Sequence, residues 1–155
     1  IAFYQQSLEL KEKIGDVQGK AATLHQLAGI YADRGEVEQA IASYQQSLEL
    51  WEKIGNVQGK AVTLHGLAII YANLGEVEQA IPFYQQSLEL HEKIGDVQGK
   101  AATFAMLGQL LAAQGDFDQA LNYLQQSLEI LQHLRSPDAE TVKRIISRIQ
   151  QMAGD

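Results

Sequence analysis

The sequence predicts an all-α fold built from stacked helical hairpins, and three observations support this. Residues 21–60 and 61–100 align without gaps and are identical at 31 of 40 positions, and residues 101–140 form a third, more divergent copy. Within each copy, apolar residues recur at spacings of three and four, which is the period of an α-helix. Glycines recur at Gly35, Gly75 and Gly115, where the first helix of each hairpin is expected to end. One hairpin cannot cover its own apolar stripe, so neighbouring repeats must stack into a solenoid.

The first helix of each repeat is expected to begin after a side-chain oxygen that accepts hydrogen bonds from free N–H groups of the first turn. It should continue to just before the glycine. The predicted spans are Asp16 to Arg34, Asn56 to Leu74, and Asp96 to Gln114. The second helix carries an apolar stripe and should end at Gly55 or its equivalent. That stripe consists of Val37, Ala40, Ile41, Tyr44, Leu48 and Trp51.

The repeats divide the chain into five predicted segments. Residues 1–14 match the second helix of a repeat, 15–54, 55–94 and 95–134 are full repeats, and 136–152 form a C-terminal capping helix that starts at Ser136. The chain opens at Ile1, inside a helical pattern and without an initiator Met, so we expect a longer parent protein.

The repeated residues resemble the tetratricopeptide repeat (TPR) signature, which is carried here by Leu24, Leu27, Ala28, Tyr31, Gly35, Ala40 and Tyr44. The resemblance implies a right-handed α-α superhelix that binds proteins or peptides in a concave groove. Two features depart from the usual pattern. The period is 40 residues instead of about 34, and Glu52, Glu92 and Gln132 replace the usual proline. Such units are similar to those of G-protein-signalling modulator scaffolds and bacterial signalling TPR proteins. HEAT and armadillo repeats have a comparable length but lack this signature.

The resemblance places the groove on the first helix of each hairpin. The predicted groove residues are Ala22, His25, Gln26, Gly29, Ala32 and Asp33, then Val62, His65, Gly66, Ile69, Ala72 and Asn73, then Ala102, Ala105, Met106, Gln109, Ala112 and Ala113. Four of the nine differences between the two most similar repeats fall on this face, at 22/62, 26/66, 29/69 and 33/73. This pattern favours divergent partner binding. Free drift of surface positions is the alternative.

Two functions agree with these observations. The first is a scaffold that binds a peptide or helix of a partner in the groove, where Asp33 would receive Lys or Arg and where Asn73 and Gln109 would bind backbone amides. The alternative is a structural spacer or oligomerisation segment of a larger signalling protein. A formal charge of −7 disfavours nucleic acid as a partner, and no apolar run reaches the roughly 20 residues of a membrane-spanning helix. A cytoplasmic location is expected.

The sequence contains no motif that predicts catalysis, a cofactor or a metal. There is no cysteine, no nucleophile paired with a base, and no phosphate-binding loop, and the glycines are assigned to turns. His25 and His65 occupy equivalent places, but no third metal ligand accompanies them at short spacing. Trp51 is assigned to packing, with an exposed binding patch as the alternative. Pro82 is expected to kink its helix.

The C-terminal helix carries its apolar residues on an unexpected side. These are Val142, Ile145, Ile146, Ile149 and Met152, whereas the hairpin-packing places of the repeat fall at Arg144, Ser147 and Gln151. The helix could rotate to cover Phe117, Leu121 and Leu128, fold over the groove, or pack against another chain. We also expect a weak homodimer through the terminal helices.

Overall fold

The computed structural model describes residues 1–154, which contain eight α-helices and no strand. The helices are α1 Ala2–Ile14, α2 Val17–Asp33, α3 Val37–Ile54, α4 Val57–Asn73, α5 Val77–Ile94, α6 Val97–Ala113, α7 Phe117–His133 and α8 Asp138–Gly154. The fold is therefore all-α, as predicted. The helices group into two compact units, Ile1–Leu90 and the residues from His91 onward. Over residues 1–154, no helix combines the length and apolarity that a membrane crossing requires.

The helix boundaries follow from capping side chains and left-handed glycines. Asp16, Asn56 and Asp96 each accept a hydrogen bond through Oδ1 from the glycine N–H three residues later, at 2.8 Å. At the other end of α2, Gly35 adopts a φ of 75° and donates its N–H to the carbonyl of Ala32. A residue with a β-carbon is strained in this conformation, so glycine ends the helix at low cost. The predicted caps and stops are confirmed.

The first unit has a continuous apolar core in which α2 packs against α3, and α3 against α4. Its most buried members are Ala28, Ala40, Tyr44, Leu67 and Ile70. A buried hydroxyl reinforces each hairpin, because Ser47 in α3 donates to the carbonyl of Ala21 in α2 at 2.8 Å. Ser87 donates to the carbonyl of Ala61 at 2.9 Å in the next hairpin.

In the second unit, α6 packs against α7 in the same way. Gly108 sits so close to α7 that a β-carbon there would lie 2.7 Å from Leu124 Cγ and 3.0 Å from the Ala120 carbonyl oxygen. A small residue therefore stands where the two helices of this hairpin approach each other. Ser127 donates to the carbonyl of Ala101 at 2.8 Å, as its equivalents do in the first unit.

Helix α8 packs mainly on α7 and turns its apolar stripe toward the protein. Val142 and Ile149 are each only 4% exposed, and Ile145 and Ile146 are half-buried. The hairpin-packing places of the repeat, including Arg144 and Ser147, are exposed instead. The helix is thus rotated about its axis relative to α6, because burying the isoleucines removes apolar surface from water. It also continues to Gly154, two residues past the predicted end at Met152.

One prediction about individual residues needs correction, a second is confirmed, and the kink expected at Pro82 stays a prediction. The assignment of the glycines to turns is wrong for a subset that lies inside helices, of which Gly59 in α4 is the clearest. The ring of Trp51 packs against its backbone, and Trp51 is only 6% exposed, which confirms the packing assignment. Pro82 is exposed, and α5 is a single helix from Val77 to Ile94 across it. A proline at an exposed place interrupts the hydrogen-bond ladder without entering the core.

Candidate functional site

The predicted groove residues of the first unit lie on α2 and α4 and reach solvent. We call these positions the groove face, which comprises Ala22, His25, Gln26, Gly29, Ala32 and Asp33 on α2 and Val62, His65, Gly66, Ile69, Ala72 and Asn73 on α4. Gln26, Asp33, Val62 and Asn73 are exposed, and the others are half-buried. On the same helices, Leu24, Leu27, Leu64 and Leu67 are buried in the core. Each first helix therefore divides into a packing side and a groove face.

The second unit presents a corresponding face on α6. Ala102, Gln109 and Ala113 are exposed, and Ala105 and Met106 are half-buried. Ala112 is only 8% exposed, so its assignment to the groove is wrong. The equivalent residues Ala32 and Ala72 are half-buried, so Ala112 alone of the three is covered.

His25 lies on the groove face, and two neighbouring side chains contact its imidazole. Its Nδ1 lies 3.1 Å from the Thr63 hydroxyl in the following repeat. Its ring meets the Tyr44 ring edge to face, with the centroids 5.2 Å apart. Burial lowers the pKa of His25 below its usual value, because the charged form loses hydration. The neutral ring therefore links consecutive repeats along the groove face.

Tyr44 reaches the groove face from below, between two glycines. A β-carbon on Gly66 would lie 2.7 Å from Cζ and 2.9 Å from Oη of Tyr44, so the ring rests on the α4 backbone. At Gly29 the space is open, and Tyr44 Oη is the one atom near the β-carbon position, at 3.8 Å. Burial, and then the negative charge of Asp33, raise the pKa of Tyr44. The result is a small recess with a protonated hydroxyl at its floor.

The equivalent tyrosine in the next repeat has different surroundings. Tyr84 is 0% exposed, and its hydroxyl makes no hydrogen bond within residues 1–154. The His65 ring lies 5.5 Å from it in an edge-to-face arrangement. Burial raises the pKa of Tyr84 to about 12. Ile69 stands here where the first repeat has Gly29.

Charge on the groove face is sparse. Among the predicted groove residues only Asp33 carries a formal charge, and none is Lys or Arg. The neighbouring Arg34 directs its guanidinium to Glu36, 3.9 Å away. Across the described part of the chain, no cluster of three His, Cys, Asp or Glu residues is arranged to hold a metal ion. The groove face can therefore offer hydrogen bonds, small apolar contacts and one carboxylate.

A concavity lies in the second unit, outside the predicted groove. Its volume is about 290 Å³, and its lining residues are Val97, Glu129, Ile130, His133 and Leu134. The sequence analysis did not single out these residues. Two of them, Val97 and Leu134, are exposed aliphatic side chains, which only the structure shows. The concavity is mostly apolar and brings together no group of residues typical of catalysis.

Comparison with protein families identifies the repeat. The tetratricopeptide repeat family model matches the chain three times, over residues 1–53, 19–93 and 59–133. The chain belongs to the tetratricopeptide repeat family. Proteins built from TPR units are generally interaction scaffolds and are typically not enzymes. The comparison with curated proteins found no match.

Solved TPR structures share the fold. The crystal structure of BtubC (BKLC) from P. vanneervenii has a TM-score of 0.91 and 22% sequence identity, and the match covers 99% of this chain. This TPR chain spans 65% of the BtubC chain. A putative kinesin light chain from Podosopora anserina, described as having nearly identical TPR-like repeats, matches with a TM-score of 0.71 and 22% identity. That match covers 97% of this chain and 79% of the other. A second crystal structure of that protein, in a variant form, gives a TM-score of 0.72 over the same shares.

Proposed function

We propose that this chain is a protein-interaction scaffold whose groove face binds an extended segment or a helix of a partner protein. The observation that carries the proposal is the division of α2 and α4 into a buried side and a groove face that reaches solvent. The two most similar repeats keep most of their core residues, and four of their nine differences lie on the groove face. A cytoplasmic location and a relationship to G-protein-signalling modulator scaffolds belong to the same proposal.

The chemistry of the groove face suits a segment with mixed side chains. Gly29, Gly66 and Ala22 allow close approach of a partner backbone, and Val62 and Ile69 supply apolar contacts. Asn73 and Gln26 are exposed amides that can both donate and accept hydrogen bonds. Peptide grooves combine apolar pockets with a few fixed polar groups in this way.

The proposal is tested by selecting short random peptides on the immobilised chain and measuring their affinities in solution. The double variant Gln26→Ala/Asp33→Ala should weaken the selected peptides at least about tenfold, a loss of about 1.4 kcal/mol. The matched control is Gln45→Ala/Lys53→Ala, which removes two exposed polar side chains from α3 and should leave affinity unchanged. Peptides that bind both variants as tightly as the original protein would contradict the proposal.

Self-association through the terminal helices is a second candidate, favoured by the apolar surface of α1. Phe3, Leu10 and Ile14 are 85%, 60% and 68% exposed, and large apolar side chains grouped on one short helix are typical of contact surfaces. Sedimentation equilibrium should reveal a weak dimer that Phe3→Ser/Leu10→Ser abolishes. A purely monomeric protein at high concentration would contradict this candidate.

A further inference from the structure

We infer that the recess between Gly29 and Gly66 is a subsite for a lysine side chain of the bound segment. This inference rests on the proposed function, because the lysine would belong to the partner that the groove face binds. It adds a specific place and a specific chemistry to that function. Three features of the recess carry it: its shape, the unpartnered hydroxyl at its floor, and the carboxylate at its rim.

The shape follows from two missing side chains on facing helices. The space beside the Gly66 backbone on α4 is occupied, because the Tyr44 ring lies where a β-carbon would be. Gly29 on α2 is open, and Tyr44 Oη is its one close neighbour, at 3.8 Å. The hydroxyl therefore ends at a gap in the groove face. An unbranched side chain that enters above Gly29 meets this hydroxyl first.

The floor of the recess holds a polar group without a partner. Tyr44 is 7% exposed, and its hydroxyl, which makes no hydrogen bond within residues 1–154, is still reached by solvent. A hydroxyl that has no partner inside the protein and reaches solvent can form a hydrogen bond with a ligand. Because its pKa is raised, the group remains a neutral phenol and can offer an oxygen lone pair to a donor.

The rim of the recess selects a cation. Asp33 lies one helical turn after Gly29, so its carboxylate and the recess are neighbours on α2. The negative charge of Asp33 contributes, after burial, to the raised pKa of Tyr44. The groove face contains no Lys or Arg to compensate this charge, and Arg34 is paired with Glu36. An ammonium group gains from both oxygens, whereas an anion is repelled.

Lysine fits these constraints through its geometry as well as its charge. Its ammonium is a compact charge with three donors, carried on a flexible and unbranched four-carbon stem. Such a stem can pass over a glycine and place the ammonium between the hydroxyl and the carboxylate. In the next repeat the same place has Ile69 and Asn73, so it has neither the gap nor the charge. The third repeat has Gln109 and Ala113 in these places, so the subsite belongs to the first full repeat.

The test is an NMR titration of the full chain with N-acetyl-lysine methylamide, followed at the amide signals of Gly29 and Gly66. We expect saturable shifts with a Kd of about 1 to 10 mM, the range of a single weak contact. N-acetyl-norleucine methylamide, which has a neutral side chain of similar length, should produce no saturable shift. Equal shifts with both compounds would overturn the inference.

Two variants copy the next repeat and sharpen the result. Gly29→Ile fills the recess, and Asp33→Asn removes the charge at an exposed position that plays no part in the core. Each should weaken binding of the lysine derivative at least about tenfold. Unchanged binding by either variant would overturn the inference, and Asp33→Asn remains decisive if Gly29→Ile perturbs folding.

The outcomes separate this inference from the proposed function. Selected peptides that bind the groove face without lysine and tolerate Gly29→Ile would overturn the subsite and leave the scaffold function intact. Binding of the lysine derivative at Gly29, in a protein that selects no peptides, would support the subsite and contradict the scaffold function.

Discussion

The indole ring of Trp51 lies against the backbone of Gly59, so closely that a β-carbon on this glycine would stand 2.6 Å from Cε2 of the ring. Trp51 lies in the last turn of α3 and Gly59 in the first turn of α4, so the contact joins consecutive repeats. His91 takes the same position against Gly99 in the other unit. The glycine inside the first turn of a helix is thus explained by the large side chain packed on it.

Gly59→Ala should destabilise the protein by about 1 to 3 kcal/mol, because the added methyl group forces the indole ring to move. This loss outweighs the gain of about 1 kcal/mol that alanine brings over glycine inside a helix. Urea unfolding followed by circular dichroism measures the difference. The control is Gly29→Ala, where the space is open, and which should stabilise by about 0.5 to 1 kcal/mol. Stabilisation by both variants would contradict the packing explanation.

Ser47→Ala should cost about 0.5 to 1.5 kcal/mol, because it removes a buried hydrogen bond between the two helices of a hairpin. Ser7 is the equivalent residue of α1, and its side chain makes no hydrogen bond within residues 1–154. Ser7→Ala should therefore change stability by less than about 0.5 kcal/mol. Chemical denaturation of the two variants provides the comparison, and equal effects would show that the buried hydrogen bond is not the cause.

His25 should make stability depend on pH near neutrality. Its pKa is lower in the folded protein than in the unfolded chain, so the unfolded state binds the proton more readily. The stabilisation is therefore complete above about pH 6.5 and is lost as the pH falls through the folded-state pKa. His25→Gln should lose less stability than the original protein between pH 7.5 and 5.5. Parallel denaturation curves at the two pH values check this, and identical losses would contradict the prediction.

Tyr84→Phe should raise stability by about 1 kcal/mol, because the buried hydroxyl of Tyr84 has no hydrogen-bond partner within residues 1–154. Tyr44→Phe should be close to neutral, since its hydroxyl borders the groove face.

The pKa of Tyr84, raised to about 12, adds a second test. Because the folded-state pKa of Tyr84 is above the unfolded value of about 10, the free energy of unfolding is unaffected by this group below about pH 10. It falls as the pH rises from there through the folded-state pKa. Tyr84→Phe should therefore resist alkaline unfolding better than the original protein. A destabilised Tyr84→Phe at neutral pH would show that the hydroxyl is satisfied.

The secondary structure was predictable because its signals are local. Asp16, Asn56 and Asp96 cap helices through bonds that span three residues, and Gly35 ends a helix through its own φ angle. The packing role of Gly59 was not predictable, because the space around this glycine depends on Trp51 in another helix. Serines repeated at 40-residue intervals were a visible signal for the buried hydrogen bonds, although the sequence does not name their acceptors.

The sequence by itself determined the all-α fold and the 40-residue repeat, because helical periodicity and repetition are properties of the chain. Only the tertiary structure decided which side chains meet across helices. It placed the Tyr44 hydroxyl between Gly29 and Gly66, linked His25 to Thr63, covered Ala112, and turned the isoleucines of α8 inward. These contacts depend on the distance and rotation between helices, which arise from the packing of many residues together.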